Sequence, residues 1–313
     1  MNETTWDVPQ TEEGLRDVLR RIDECRAAGE ENELGKGLLA LSHLVKWVRS
    51  DTDQVPFARS HELAMEALEL FRRTQDEKGQ VRALIAATPM AGPQQDQFLA
   101  EAELLAGGIG DEDLLGSVVW AKARATGLSD RERSAALNNQ ALGIFRRTGN
   151  LGGQAGCLFS LSIQLGTSAE KREFALESAK LYREIGRLKD ASRSMSIALM
   201  NAEEIDPPAE LEKLVLQGLK DSRDSGYGSQ EAMFCEKLAK LAAAQGRFGE
   251  AADLHRRAKE AEPDDGLTPF ERWENDVEMT KSIIALAKAQ GSKEAETMFR
   301  EHLKELKAQK PKA

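Results

Sequence analysis

Apolar residues recur along this chain at intervals of three and four, and Val, Ile and Thr never gather in alternating runs. The pattern predicts helices throughout and no strands. Between Asn32 and Ser50, Leu38, Leu41, Leu44, Val45 and Val48 form one such stripe. Together with Thr11 to Gly29, where Glu12 and Glu13 suit a first helical turn, this segment reads as an N-terminal helical hairpin. At the other end Thr268-Pro269 supplies an N-cap followed by Pro at the first helical position. That helix is predicted to run to Gln290 and stop at Gly291, and a last helix carries Ala295, Met298, Phe299, Leu303 and Leu306. Two Pro-containing breaks, Thr88 to Pro93 and Asp206 to Pro208, are predicted helix ends, because Pro removes a donor and restricts the residue before it.

The helical pattern repeats. Ala67 to Asp76 reads ALELFRRTQD, Ala141 to Asn150 ALGIFRRTGN, Ser178 to Arg187 SAKLYREIGR and Ala102 to Asp111 AELLAGGIGD. Each is the end of an amphipathic helix stopped by Gly, or by Gln75 in the first copy. Weaker copies begin at Gly218 and Ala258, so successive starts lie 35, 39, 37, 40 and 40 residues apart. A period of this size fits two helices and two turns. One such hairpin cannot bury its apolar face alone, whereas stacked neighbours share a continuous core.

Residues 232–265, AMFCEKLAKLAAAQGRFGEAADLHRRAKEAEPDD, resemble a complete tetratricopeptide repeat. Leu238 and Ala239 form the large-then-small pair of the first helix, Gly246 ends it, Ala251 and Ala258 are the small residues of the second, and Pro263 closes the unit. His255 stands where the family usually has a large aromatic. The other copies resemble the longer variety of kinesin light chains and bacterial regulators, and the resemblance covers roughly residues 58–265. It implies an all-α fold, a right-handed superhelical solenoid of antiparallel helix hairpins. The expected division is an N-terminal cap over 1–56, repeats over 57–265 and C-terminal capping helices over 266–313, in one continuous solenoid.

Composition agrees: 41% hydrophobic but only 5% aromatic residues indicate an Ala- and Leu-rich interior, and 31% are charged. The net charge of −10 argues against a nucleic-acid partner, which would need a dense basic face. Lys304, Lys307, Lys310 and Lys312 read as a solvated helix end that complements the dipole. Cys25, Cys157 and Cys235 are scattered and odd in number, which suits a reducing compartment and a cytoplasmic protein. Residues 1–10 lack the apolar core of a signal peptide, and no stretch is long and apolar enough for a membrane partner to be expected.

Candidate chemistry is sparse. His43, His61, His255 and His302 show no metal-ligand spacing, and the glycine cluster Gly149 to Gly156 lacks the Lys-Ser/Thr of a phosphate-binding loop. That cluster and Gly107-Gly108-Ile109-Gly110 read as helix-stopping turns and close-packing spots. Ser225 to Ser229 falls on a repeat boundary, and no Ser/His/Asp arrangement is traceable. No catalytic residue, metal or cofactor is expected, and the chain reads as a non-enzyme.

The tetratricopeptide resemblance implies an inner groove lined mainly by the first helix of each hairpin. Registering the repeats on their stop residues places Arg82 and Ile85, then Ser117, Trp120 and Arg124, then Gly156 and Phe159, then Arg193, Ser196 and Met200, then Met233, Glu236 and Lys240 on it. Arg82, Trp120, Arg124, Arg193, Met200, Met233 and Lys240 are the candidate partner-binding residues. Four cations against one carboxylate suit an extended or helical partner segment with acidic side chains or a free carboxyl terminus. The expected function is a protein-protein interaction scaffold, an inference by analogy from the fold. The alternative is a ligand- or peptide-sensing regulator acting on an effector in trans, and a helical enzyme is a remote third.

Overall fold

The computed structural model describes residues 12–46, 56–127, 129–164, 166–203, 205–261 and 268–311. Among them the regular structure is helical throughout, with no strand. The helices are α1 (Glu12–Ala28), α2 (Glu31–Leu44), α3 (Pro56–Arg73), α4 (Glu77–Ala87), α5 (Gln95–Ile109), α6 (Glu112–Thr126), α7 (Arg131–Thr148), α8 (Leu151–Ser162), α9 (Ser168–Glu184), α10 (Leu188–Ala202), α11 (Pro208–Asp224), α12 (Gly228–Ala244), α13 (Phe248–Glu260), α14 (Pro269–Ala289) and α15 (Lys293–Ala308). Two 3-10 turns, Thr88–Met90 and Gly92–Gln94, occupy the first predicted Pro/Gly break, and Pro208 opens α11 at the second.

Each predicted stop is a left-handed residue. Gly29, Gly110, Gly149, Gly186, Gly226, Gly246 and Gly291 have φ between +64° and +77°, and Gln75, at +56°, is the non-glycine member of the series. Most of these turns close in the same way. The amide after the stop donates back to the carbonyl five residues earlier, as in Asp76 N to Phe71 O at 2.9 Å, Asn150 N to Phe145 O at 3.0 Å and Arg187 N to Tyr182 O at 2.8 Å. This satisfies a carbonyl that the helix end would otherwise orphan. The same residue then starts the next helix: the side chain of Asp76 accepts from Gly79 N, that of Asp111 from Asp113 N and Leu114 N, and that of Asn150 from Gly153 N. A turn so short forces consecutive helices to run antiparallel.

Packing at these turns explains several glycines. Phe71 of α3 lies between Gly35 of α2 and Gly79 of α4, and Phe145 of α7 lies between Gly116 of α6 and Gly153 of α8. A Cβ at Gly35 would sit 2.8 Å from the Phe71 ring, and one at Gly153 would sit 2.5 Å from Phe145 Cγ. Both rings are 1% exposed. At the equivalent positions of the α5–α6 turn stand Ala106 and Leu114, both buried. The bulk has moved across the turn, and the slot stays filled.

The helices form two compact units, residues 1–160 and 161–313. In the first, α4 packs on α2 and α6 as well as on its sequence neighbours; in the second, α12 packs likewise on α10 and α14. The even-numbered helices therefore stack on one another within each unit. Polar ties join equivalent positions about one repeat apart: Asn32 to Asp76 at 3.1 Å, Lys78 to Asp111 at 2.8 Å and Asn150 to Asp113 at 2.8 Å in the first unit. In the second, Arg183 Nε reaches both oxygens of Asp221 at 2.9 and 3.2 Å, and Arg247 reaches Glu212 at 2.7 Å.

Some expectations need amendment. Within Gly149 to Gly156 only Gly149 is a stop; Gly153 and Gly156 lie inside α8 and are close-packing positions. Gly107 and Gly108 are neither turns nor packing spots, since they sit inside α5 with open space where a Cβ would go. The terminal lysines are not all simply solvated, for Lys310 Nζ lies 5.3 Å from the Phe270 ring and 5.2 Å from that of Trp273. Val48, the closing Pro263 and Lys312 fall outside the described residues. The α14 start is as expected, with Thr268 and Glu271 forming a reciprocal capping box.

Candidate functional site

Because α4, α6, α8, α10 and α12 each begin at the same distance from their stop, residues seven, ten and fourteen positions beyond the stop recur along one helical strip. In the first unit this strip holds Arg82, Ile85, Ser117, Trp120, Arg124, Gly156 and Phe159. Arg82 and Arg124 are exposed, and Trp120 and Phe159 are half-buried. Ser117 spends its hydroxyl on Asp113 O at 3.0 Å, and Ile85 packs against the core.

The structure brings Trp120 and Arg124 together. The Arg124 guanidinium carbon stands 5.3 Å from the Trp120 ring centroid, one helical turn away on α6. Gly156 of α8 lies against the same ring: a Cβ there would come within 2.5 Å of Trp120 Cζ2. The indole is thus set into the missing side chain of Gly156, and its Nε1 is buried without an acceptor. Trp120 is partly core and partly surface, a platform rimmed by a cation.

Sequence registration missed Lys46, in the turn that follows α2. It is half-buried, and among the described residues no carboxylate pairs with it. Burial, with a smaller contribution from the Arg124 charge, pushes its ammonium down to about 8. One signal was present, since Lys46 interrupts the apolar run Leu44, Val45, Trp47, Val48. It lies beyond the three registered positions and was not selected by them.

In the second unit Arg193 is drawn towards its own helix, with Nη1 3.8 Å from Asp190, a buried carboxylate also held by Arg187 at 2.7 Å. Met200 is 60% exposed, Met233 is half-buried against the core, and Lys240 is exposed. Lys189, also absent from the registered set, lies 6.0 Å from the Tyr227 ring, and burial lowers its acidity range against the opposing pull of Asp190.

Other polar features do not extend these faces. A surface depression of about 590 Å³ in the first unit is lined by Gln95, Asp96, Lys122, Asp130, Arg133 and neighbouring apolar residues, and includes none of the seven candidates. His255 is buried with neither ring nitrogen hydrogen-bonded, its Nε2 4.0 Å from Asp276 Oδ1, and it lies edge-on to His302 at 5.9 Å between centroids. Among the described residues no group of three or more His, Cys, Asp or Glu is placed to hold a metal ion. All three cysteines are buried thiols, with burial pushing Cys157 up to about 12. No described helix is long and apolar enough to cross a membrane.

No protein-family model matches the chain, and no curated protein is similar to it. Among solved structures it is similar to the apo form of RapI, at 13% identity over 80% of this chain and 89% of that one, with a TM-score of 0.44. It is also similar to a Rap protein complexed with competence and sporulation factor, at 10% identity over 95% and 98% of the two chains and a TM-score of 0.45. BtubC from P. vanneervenii aligns at 13% identity over 94% and 89%, with a TM-score of 0.27. At these scores the likeness is a general one, and the helical fold stands on the chain's own elements.

Proposed function

We propose that the chain is a protein-interaction scaffold whose even-numbered helices present the binding face in each unit. The partner contributes an extended or helical segment bearing acidic side chains or a free carboxyl terminus. The observation that carries the reading is the Trp120–Arg124 pair on Gly156, an aromatic surface backed by a glycine and rimmed by a cation. Such a surface offers an apolar anchor beside a bidentate carboxylate donor. The exposed Met200 and Lys240 supply the corresponding pair of chemistries in the second unit. In this reading residues 1–56 and 266–313 cap the array of 57–265, and the chain performs no catalysis of its own.

The test is affinity capture with the purified chain as bait, comparing the parent with the Arg124→Glu, Arg193→Glu double variant. Because Arg193 faces the buried Asp190 and Arg124 stacks on Trp120, the variant's unfolding midpoint is measured alongside, and capture is compared at equal amounts of folded protein. A stoichiometric partner retained by the parent should be lost from the variant, and retention at equal yield would overturn the proposal.

A further inference from the structure

In the second unit α13, α14 and α15 meet through ionisable side chains. His255 of α13 is 3% exposed, and neither of its ring nitrogens is hydrogen-bonded. Its Nε2 lies 4.0 Å from Asp276 Oδ1 of α14, and Lys259 Nζ holds the other oxygen of that carboxylate at 3.0 Å. The His302 ring of α15 stands edge-on to His255, 5.9 Å away between centroids. Lys259 on its own helix, Asp276 and His302 are the charges that act on His255, and Glu305 acts in turn on His302. Helix α12, which also packs on α13, adds the apolar Leu238, Ala239 and Ala242 to the same core. The arrangement suits neutral rings. With both imidazoles protonated, the Asp276 carboxylate would face three cations, one of them cut off from water. Other ties of these helices involve no histidine. Gln290 Nε2 donates to Ala243 O and Ala244 O at 3.1 and 3.0 Å, seating the α14–α15 turn on the α12–α13 turn. Trp273 Nε1 donates to Leu306 O at 2.7 Å, and Lys310 lies against the Phe270 and Trp273 rings, so α14 and α15 hold each other.

We infer that the His255–His302 contact is an acid-sensitive latch: protonation of the two rings releases the α14–α15 pair from α13 while α9 to α12 keep their packing. The latch concerns the end of the array and stands independently of the scaffold reading. Asp276 and Gln290 are fourteen residues apart, about 21 Å along a helix, so release begins near the start of α14 and the Gln290 seat is its pivot. Burial, then the Lys259 charge, holds His255 at about 4, below its ordinary 6.5. The closed state is therefore fully favoured above 6.5 and is lost as pH falls towards 4. From His255 alone the closed-to-open ratio should fall about 100-fold between pH 7.5 and 4.5. His302, lowered mainly by burial, acts in the same sense.

The experiment is amide hydrogen exchange of the full chain at pH 7.5 and 4.5, with labelling times scaled to the intrinsic rates and peptides read by mass spectrometry. Protection in α14 and α15 should fall about 100-fold relative to α10 and α11. His255→Phe keeps a ring and removes the titration, and should cut that difference to about tenfold or less. Lys259→Met removes the neighbouring cation, leaves both histidines and should cut the difference to an intermediate value. The imidazole carbon signals of His255, followed by NMR, should titrate below pH 5 in the parent and at higher pH in Lys259→Met, a change that a purely structural role would not produce. Should His255→Phe not fold at pH 7.5, Lys259→Met and the His255 titration decide. Equal loss of protection in both pairs of helices, an ordinary His255 titration, or a difference undiminished in the variants would overturn the latch.

Discussion

The glycine slots invite a comparison in which one substitution, Gly to Ala, has opposite effects at two places in the first unit. At Gly153 the new methyl would sit 2.5 Å from Phe145 Cγ and 2.6 Å from both Cδ atoms. Carbon atoms prefer about 3.5–4.0 Å, so the overlap is roughly 1 Å against the body of a ring. The ring has no retreat: it is 1% exposed, and a Cβ at Gly116 on its other side would already lie 2.9 Å from Cε1. Overpacking of this kind costs about 1–3 kcal/mol, offset by up to about 1 kcal/mol because Ala favours the helix over Gly. The net expectation for Gly153→Ala is a loss of about 1–2 kcal/mol. Gly107 and Gly108 lie inside α5 with nothing within 4 Å of a built Cβ. There only the propensity gain remains, about 0.5–1 kcal/mol of stabilisation each. Urea unfolding followed by circular dichroism, with hydrogen exchange to assign the change to α7–α8 or α5, reads both. The Ala106–Leu114 arrangement predicts a rescue, in which Phe145→Ala recovers part of the stability lost by Gly153→Leu, giving a favourable coupling in the double-mutant cycle. Equal shifts of the same sign at Gly153 and Gly107, or strict additivity of the pair, would refute the slot argument.

Asp221, 2% exposed, receives both contacts from Arg183, so Asp221→Ala leaves a half-buried guanidinium without its acceptor; a loss of about 3 kcal/mol is expected, read as a lower urea midpoint. His255 is held down at about 4, first by burial and then by the Lys259 charge, against the opposing pull of Asp276, with His302 also lowering it. Its stabilising contribution is therefore complete above the unfolded value near 6.5 and is lost as pH falls towards 4, about 3 kcal/mol in all. His302 is lowered as well, mainly by burial, and acts in the same sense. The fall in thermal midpoint between pH 7.5 and 4.5 should shrink in His255→Phe, and an identical fall in both proteins would contradict the assignment. Thr268→Ala removes one side of the α14 capping box and should cost about 1 kcal/mol, visible as faster amide exchange in the first turn of that helix.

Much of the fold was legible because the determining signals are local. A left-handed stop followed by a capping residue is written in consecutive positions, and even Gln75, which breaks the glycine rule, was identifiable from its place in the repeat. The Pro breaks and the α14 cap were legible for the same reason. Packing across repeats was less so. Gly153 and Gly107 look alike in sequence, yet one faces a phenylalanine eight residues back across a turn and the other faces open space. The candidate site shows the same division. Registration placed Arg124 and Trp120 on one helix a turn apart, and the structure brings them into contact. It had no means of finding Lys46, whose character depends on burial and on a charge from α6, four helices further along. Nor could it show that Arg193 faces the buried carboxylate of its own helix.

These observations bear on where binding chemistry can vary in such a chain. An even helix is flanked by odd helices and by the even helices before and after it, as α4 is by α3, α5, α2 and α6. Most of its surface is therefore committed to packing, and the small residues Gly35, Gly79, Gly116 and Gly153 are fixed by the rings they accommodate. The remaining strip is less committed, and at its middle position the side chain changes from Ile85 to Trp120 to Phe159 without disturbing the turns. Trp120 is where the two demands meet, because its ring is seated on Gly156 while its neighbour Arg124 stays exposed. A substitution at Gly156 should consequently displace Trp120 and alter binding from beneath, whereas one at Arg124 should alter binding and leave the fold intact. Measuring both the unfolding midpoint and peptide affinity for Gly156→Ala and Arg124→Gln separates these effects. Loss of affinity in Gly156→Ala without any change in the Trp120 environment would show that the glycine does not seat the ring for binding.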